Sequence, residues 1–328
     1  MRAGRAALPG MILAAFLIAE PSKPVPTHEG LAEVNAALQA GQADRALALL
    51  NSLPSPAGDS AEAHNLRCRV FFTLEKFEAA KNECAQAVSL DPQISSYHLW
   101  FGRALGEVAD RANFLSAYSL AKRARAEFEQ AVQLSPHNAE ALADLGEFYS
   151  SAPGVVGGGL DKAANVAAQL DHVDPARAHE LRAAIARENK DMAGAEQELK
   201  QAVAASAHPA FQWMRLASFY RKAKRYEEME NAVQSGWTET QRDPHAAVAL
   251  FNGASVLIKG NRNPALAIRM LQAYLASPAA TEEAPAFTAR VWLARLRAQS
   301  GDPEGARREK AEALALASEY KPAQDLKL

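Results

Sequence analysis

Small residues recur along this chain at a fixed spacing, and that spacing predicts a series of similar helix pairs. The clearest unit runs from residue 61 to about residue 94, where Cys68, Ala80, Ala87 and Pro92 are separated by 12, 7 and 5 residues. Small side chains let two helices approach closely where they cross. Proline ends a helix because it lacks the N–H that would continue the hydrogen-bond ladder. The unit is therefore predicted to be one helix-turn-helix hairpin.

The same spacing returns along the rest of the chain, in whole or in part. The further copies are marked by Val34, Ala46 and Leu53; by Gly102, Ala124 and Ala131; by Gly146 and Ala163; by Ala183, Ala195 and Ala202; by Ala217, Met229 and Gly236; by Gly253, Ala265 and Gln272; and by Ala294, Ala306 and Ala313. Together they give about eight units, the first beginning near Thr27. One such hairpin cannot bury its apolar face alone, so the units are predicted to stack into one continuous core, with the terminal units acting as caps.

Three segments depart from the regular spacing. Extra residues at 110–122 are expected to lengthen the helices of the third unit or the turn between them, and residues 150–159 are inserted between the helices of the fourth. Residues 277–285 are predicted to be a longer loop between two units.

The unit resembles the tetratricopeptide repeat, a helix pair with a period of 34 residues. Residues 128–149 and 301–317 are close to the consensus of that family, and Tyr149, Trp213 and Tyr220 stand where it places large aromatic residues. The resemblance spans about 290 residues. It implies an all-α fold, a right-handed α-α superhelix (a tetratricopeptide solenoid) of about eight helix-turn-helix repeats. For function it implies only the binding of a protein or peptide, because the repeat serves many unrelated processes.

The solenoid is expected to occupy residues 27–318, with a different segment at each end. Residues 1–19 contain Arg2 and Arg5 before an apolar run, which is typical of a secretory signal peptide. Cleavage there would give a periplasmic or secreted protein. The alternative is an uncleaved membrane anchor, because Leu17 is larger than the residue that the cleavage rule favours. Proline-rich residues 20–26 are predicted to be an extended linker, and residues 319–328 a C-terminal tail.

Cys68 and Cys84 are the only cysteines, and their state is left open by the sequence. In an oxidising compartment they form a disulfide if their Cα atoms lie within about 7 Å of each other. Alternatively, both are small buried residues of a helical core.

Most chemical functions find no support in the residue patterns. A net charge of −2 without clustered Lys and Arg does not indicate a nucleic-acid partner, and contact with a membrane is expected only through an uncleaved N-terminal segment. The eight histidines are scattered and are interpreted as solvated or capping residues. No metal-binding, cofactor-binding or nucleophile motif occurs, so no catalytic residue, metal or cofactor is predicted. The chain is predicted not to be an enzyme.

A glycine-rich segment, Pro153–Lys162, has two interpretations. A glycine turn before a helix can present N–H groups to an anion, and this would allow an enzyme subunit with a site near residues 150–162. The favoured interpretation is structural: the glycines permit positive φ angles in a tight connection, and Asp161 helps to cap the next helix.

The candidate binding site follows from the resemblance to the repeat family, whose first helices line a concave groove. The ligand-facing positions of the family correspond here to Asn65, Arg69, Arg103, Glu147, Glu180, Arg187, Arg221 and Arg295. Recurring arginines favour an acidic segment or a terminal carboxylate, and the alternative is a solvated face without a particular ligand. The predicted function is therefore an exported bacterial scaffold or adaptor that binds a protein or peptide in its groove. A membrane-tethered assembly factor is the second hypothesis, and the oligomeric state is left open.

Overall fold

The structure is a computed structural model that describes residues 27–277 and 281–328. Its described part contains seventeen α-helices and three short 3₁₀ turns, and no strand. The first eight helices are α1 (Thr27–Gln39), α2 (Ala43–Ser52), α3 (Ala61–Thr73), α4 (Phe77–Leu90), α5 (Ser95–Ala109), α6 (Phe114–Leu134), α7 (Ala139–Ser151) and α8 (Leu160–Leu170). The others are α9 (Pro175–Glu188), α10 (Met192–Ala205), α11 (Pro209–Lys222), α12 (Tyr226–Thr240), α13 (Val248–Gly260), α14 (Pro264–Ala276), α15 (Ala286–Gln299), α16 (Pro303–Leu316) and α17 (Lys321–Gln324).

Helices α1 to α16 form eight antiparallel hairpins, each made of an odd-numbered helix followed by an even-numbered one. Each hairpin also packs on the next, which confirms the predicted all-α superhelix of about eight helix pairs. The predicted signal or anchor and the linker fall at residues 1–26, outside the described residues. None of the described helices combines the length and the apolar character that a membrane crossing requires.

Most hairpins turn through a residue in the left-handed conformation at the same place in the repeat. These residues are Gly41, Glu75, Lys190, Lys224, Asn261 and Gly301. The next N–H then bonds back into the odd helix: the N–H of Lys76, for example, donates to the carbonyl of Phe71 at 2.9 Å. Bonds of this kind satisfy carbonyls at a helix end and fix the direction of the turn.

The small residues of the repeat lie where two helices touch. A Cβ atom added at Gly102 would come within 2.6 Å of the ring of Phe128. One added at Gly146 would come within 2.3 Å of Leu181. These close approaches bear out the interpretation of the small residues as crossing points.

Two inserted segments also have a clear structure. The extra residues of the third unit lengthen α6 to 21 residues. Those of the fourth unit form a 3₁₀ turn, Gly154–Val156, between α7 and α8. Cys68 and Cys84 are joined by a disulfide between α3 and α4, with their Cα atoms 5.2 Å apart.

The two ends of the solenoid pack against each other. A single apolar cluster combines Leu38 and Leu50 of the first hairpin with Phe287, Ala313 and the segment at residues 320–323 near the C-terminus. The terminal units therefore do not act as the predicted caps. Their outer apolar faces cover each other, and helix α17 takes part in the contact.

Polar contacts accompany this closure. The N–H of Ser318 donates to the carboxylate of Asp44 at 2.9 Å. The hydroxyl of Tyr320 donates to Glu75 at 3.1 Å. The superhelix of helix pairs thus closes on itself and forms a ring.

Candidate functional site

The odd-numbered helices line the inside of the ring. A cavity of about 380 Å³ is bounded on one side by Phe72 of α3 and Trp100 of α5. On the other side it is bounded by Phe251 of α13, Trp292 of α15 and the segment that precedes α15. Side chains that are far apart in sequence thus face each other across the ring. We call the surface formed by α3, α5, α7, α9, α11, α13 and α15 the inner face.

All eight residues predicted to bind a partner lie on odd-numbered helices. They are Asn65 and Arg69 on α3, Arg103 on α5, Glu147 on α7, Glu180 and Arg187 on α9, Arg221 on α11, and Arg295 on α15. Their surroundings differ. Some are bonded to carboxylates of the chain itself, and others have no such neighbour.

Arg69 is held by a carboxylate from the C-terminal part of the chain. Its Nε and Nη2 atoms donate to Glu282 at 2.9 and 2.6 Å, and Nη2 also donates to Asn35 at 3.1 Å. Gln39 donates to the same carboxylate at 3.0 Å. The Glu282 side chain is only 8 % exposed and that of Arg69 17 %. The bonds of this pair therefore link α3 to the segment before α15, across the junction of the two ends of the chain.

Arg103 is bonded to two carboxylates of α7. Its Nε donates to Asp144 and its Nη2 to Glu140, both at 2.6 Å. Burial raises the pKa of the Asp144 carboxyl, an effect that the guanidinium of Arg103 only partly offsets. The guanidinium carbons of Arg69 and Arg103 lie 5.6 and 4.8 Å from the ring centre of Trp100. Two predicted site residues are thus brought together on one tryptophan.

Glu180 is also paired within the chain. It accepts a hydrogen bond from Gln212 at 3.0 Å and forms an ion pair with Arg215 at 3.1 Å. Burial raises the pKa of the Glu180 carboxyl, and the nearby arginines oppose this shift. Asn65 is 4 % exposed, and its Nδ2 has no hydrogen-bond partner in the described part of the chain.

Arg187 and Arg221 form a second group with different surroundings. Both are half-buried, and the Nε atom of each is buried without a hydrogen-bond partner among the described residues. They lie around Lys222, together with Glu147. Partial desolvation lowers the pKa of the exposed Lys222, and the positive charges of Arg187 and Arg221 lower it further. Arg295 is exposed.

A family model identifies the repeat. The model of the tetratricopeptide repeat matches residues 61–94, which form the hairpin of α3 and α4. The chain therefore contains a tetratricopeptide repeat at these residues. A comparison with curated protein sequences finds no match.

A search of solved structures finds, among others, three proteins that align with the chain at low identity. A thermophilic tetratricopeptide-repeat protein of Thermus thermophilus has 18 % identity and a TM-score of 0.48, with 59 % of this chain and 98 % of that chain covered. The C-terminal part of a repeat-containing protein from Cytophaga hutchinsonii has 14 % identity and a TM-score of 0.42, over 91 % of this chain and 100 % of that one. The pilF protein of Pseudomonas aeruginosa has 14 % identity and a TM-score of 0.40, over 82 % and 98 %.

The glycine-rich connection between α7 and α8 uses its own N–H groups internally. The N–H groups of Gly157, Gly158 and Gly159 donate to backbone carbonyls at 2.9, 3.2 and 2.8 Å. Gly157 has a φ angle of +97°. The structure therefore agrees with the structural interpretation of the loop rather than with an anion site. The expected cap is wrong in detail, because the N-cap position of α8 is Gly159 and no side chain bonds there.

Several histidines are paired rather than solvated, which corrects the interpretation from the sequence. His64, His98 and His179 each place Nδ1 within 2.6 to 2.7 Å of a glutamate on the next helix. Their role in the repeat protein is to join the two helices of a hairpin. Within the described ranges no three metal-ligating side chains are grouped as a metal site requires.

Sequence reasoning missed the side chains that surround the predicted arginines. Trp100 lies two residues before the small residue Gly102, and this position in the repeat could have drawn attention to it. Lys222 follows Arg221 directly and adds to the same positive group. No local sequence pattern pointed to Glu282, because its contact with Arg69 exists only where the two ends of the ring meet.

Proposed function

We propose that this tetratricopeptide-repeat protein is a non-enzymatic scaffold or adaptor that binds a protein or peptide on its inner face. The observation that carries the proposal is the aromatic cavity inside the ring, with the half-buried rings of Phe72, Trp100 and Trp292 at its wall. Aromatic side chains in partly desolvated pockets supply most of the affinity in many protein interfaces.

The surroundings of Trp100 favour a preformed binding surface. Arg69 and Arg103 lie against its ring, and both guanidinium groups are fixed by carboxylates of the chain. Side chains held in this way lose little rotamer freedom when a partner binds, so more of the contact energy appears as affinity.

Export is the second part of the proposal. The disulfide between Cys68 and Cys84 supports an oxidising compartment such as the periplasm or the exterior of the cell. The competing hypothesis is a membrane-tethered assembly factor that keeps its N-terminal segment. Sequencing the N-terminus of the natively expressed protein distinguishes them: a start after Ala19 supports export, whereas an intact Met1 and a need for detergent support the tether.

Crosslinking in the native cell, followed by affinity capture, tests the binding proposal. Trp100→Ala removes the aromatic centre of the inner face, and Trp237→Ala on even-numbered α12 is the matched control. We expect one dominant partner with the wild type and with Trp237→Ala, and its loss with Trp100→Ala. A partner retained by Trp100→Ala, or lost equally with both variants, would contradict the proposal.

A further inference from the structure

Four cations gather where three successive inner helices end. Arg187 lies in the last turn of α9, Arg221 and Lys222 in the last turn of α11, and Lys259 in the last turn of α13. The stem of Arg221 passes beside α13, since its Cγ atom would be 3.6 Å from a Cβ placed on Gly260. Arg187, Arg221 and Lys259 all lie near enough to Lys222 to repel its charge.

Within the described residues, these four cations lack the counter-ions that other arginines have. In the described part of the chain, no carboxylate oxygen lies within 4.0 Å of a side-chain nitrogen of these four residues, which is the distance limit for an ion pair. By contrast Arg297, in the last turn of α15, donates to Asp302 at 2.7 Å. Exposed Glu147 on α7 is the carboxylate that faces these four cations. It attracts the charge of Lys222, but from farther away than an ion pair.

Like charges held together without a counter-ion repel each other, and this repulsion is partly offset by the helix ends. The C-terminal turn of a helix carries partial negative charge, which favours cations there. An anion that bound between the side chains would remove the remaining repulsion. It would also give the buried Nε atoms of Arg187 and Arg221 the acceptors that they lack.

We propose that Arg187, Arg221, Lys222 and Lys259 form a cationic strip that binds an extended acidic peptide segment. The inference rests on the proposed function, because it names the chemistry of one part of the partner. The planar guanidinium groups of Arg187 and Arg221 suit carboxylates, which they can bind through two parallel hydrogen bonds.

The length of the strip favours a peptide over a single small anion. The strip runs from α9 across α11 to α13; α11 packs on α13, and Gln212 of α11 bonds to Glu180 of α9. Packed helices are roughly 8–10 Å apart, so two such steps make the strip at least about 16–20 Å long. An extended peptide advances about 3.3 Å per residue and would span it with five or six residues. Exposed Glu147 lies on α7 beside the strip and would repel a longer polyanion, such as RNA, that extended past α9.

Fluorescence anisotropy of labelled peptides tests the strip. The probes are an extended peptide with a glutamate at every third position, the same peptide with glutamines, and inorganic polyphosphate as competitor. We expect the glutamate peptide to bind, the glutamine peptide not to bind, and the affinity to fall as salt is added. Arg187→Glu with Arg221→Glu should weaken binding by about tenfold or more, since two attractions become repulsions.

The matched control is Arg307→Glu with Arg308→Glu, two exposed residues of α16 that give the same change in net charge. It should change the affinity by less than about twofold, as expected for distant screened charges. Lys222→Gln with Lys259→Gln, at two exposed positions, provides a milder variant if the double reversal fails to fold. Circular dichroism checks the folding of every variant.

Three results would overturn the strip: equal binding of the glutamate and glutamine peptides, equal losses in the two reversal variants, or tighter binding of polyphosphate than of the glutamate peptide. Capture of the cellular partner keeps this outcome separate from the proposed function. If Arg187→Glu with Arg221→Glu still captures a partner that depends on Trp100, only the strip is wrong. If the wild type captures none, the proposed function itself is wrong.

Discussion

The imidazole of His98 lies between two hydrogen-bond acceptors inside the third hairpin. Its Nδ1 is 2.6 Å from Glu127, and its Nε2 is 3.0 Å from the carbonyl of Pro92. Only the doubly protonated ring can donate to both. Burial lowers the pKa of His98. The bonds to Glu127 and Pro92 together raise it by more than burial lowers it, so the pKa lies above its ordinary value.

Because the pKa of His98 is raised in the folded state, this histidine stabilises the fold at low pH. The contribution is complete below about 6.5, the ordinary pKa of the unfolded chain, and it is lost as pH rises through the folded-state pKa. Urea midpoints measured from pH 6 to pH 8 should therefore fall with pH more steeply for the wild type than for His98→Asn. Exposed His137→Asn, at a position with no charged partner in the described part of the chain, serves as the control and should keep the wild-type slope. Equal slopes for His98→Asn and the wild type would contradict the assignment.

Two glycines of α5 provide a matched test of the crossing point. A Cβ at Gly102 would collide with the ring of Phe128 at 2.6 Å, whereas one at Gly106 would meet nothing within 4 Å. Gly102→Ala should lower the free energy of unfolding by roughly 1–3 kcal/mol, because the core has no space for the methyl group. Gly106→Ala should raise it by up to about 1 kcal/mol, because alanine favours the helix. Denaturant unfolding of both variants measures the difference, and equal effects would contradict this packing.

Among the elements, the hairpin turns carry most of the local backbone strain. Lys190 and Lys224 have φ angles of +62° and +58° at the turns of the fifth and sixth hairpins. Side chains raise the energy of this conformation by roughly 1–2 kcal/mol, which glycine avoids. Gly41 and Gly301 stand at the same place in other repeats.

Lys190→Gly and Lys224→Gly should therefore each raise the free energy of unfolding by roughly 0.5–1 kcal/mol, measured by denaturant unfolding. This is a net value, because the greater freedom of glycine in the unfolded chain offsets part of the strain that is removed. Lys200→Gly, within α10, is the control for the substitution itself. It should destabilise by about 1 kcal/mol, since glycine disfavours a helix interior. A loss of stability at both turn positions would mean that the left-handed turns are not strained as described.

The helix pairs could be predicted from sequence because their causes are local. Within residues 61–94, the spacing of Cys68, Ala80 and Ala87 depends only on how two neighbouring helices cross, and the matched repeat lies on the same residues. The inserted residues at 150–159 were predicted to lie between two helices for the same reason. Their internal hydrogen bonds could not be predicted, because they depend on how the turn folds back onto Tyr149.

At the scale of the whole molecule, the contact between the ends could not be read from the sequence. It arises from small rotations added over eight hairpins, which no single repeat encodes. The predicted binding residues show the consequence. Each lies on an inner helix as expected, but the guanidinium of Arg69 is already bonded to Glu282, which is more than 200 residues away in sequence.

The Arg69–Glu282 pair should be important for the closed ring. Glu282→Ala leaves a largely buried arginine without its carboxylate, and the loss of one partner of a buried pair destabilises by roughly 3–5 kcal/mol. Because the pair joins the two ends, we expect faster hydrogen exchange in α1, α2, α16 and α17, together with a lower urea midpoint. Glu227→Ala, at an exposed position of α12 away from the junction, is the control and should change both measurements little. Similar effects of the two variants would contradict the role of Glu282.

The central claim is that the solenoid closes into a ring whose odd-numbered helices enclose the inner face. Double electron–electron resonance between labels at Ala48→Cys on α2 and Ala315→Cys on α16 tests it directly. Both positions are exposed, and the native cysteines are joined in a disulfide and do not react with the label. Helices α2 and α16 are in contact, so we predict one narrow distribution at the short end of the measurable range. A broad distribution at long distances, unchanged by Glu282→Ala, would show an open superhelix and contradict the closed ring.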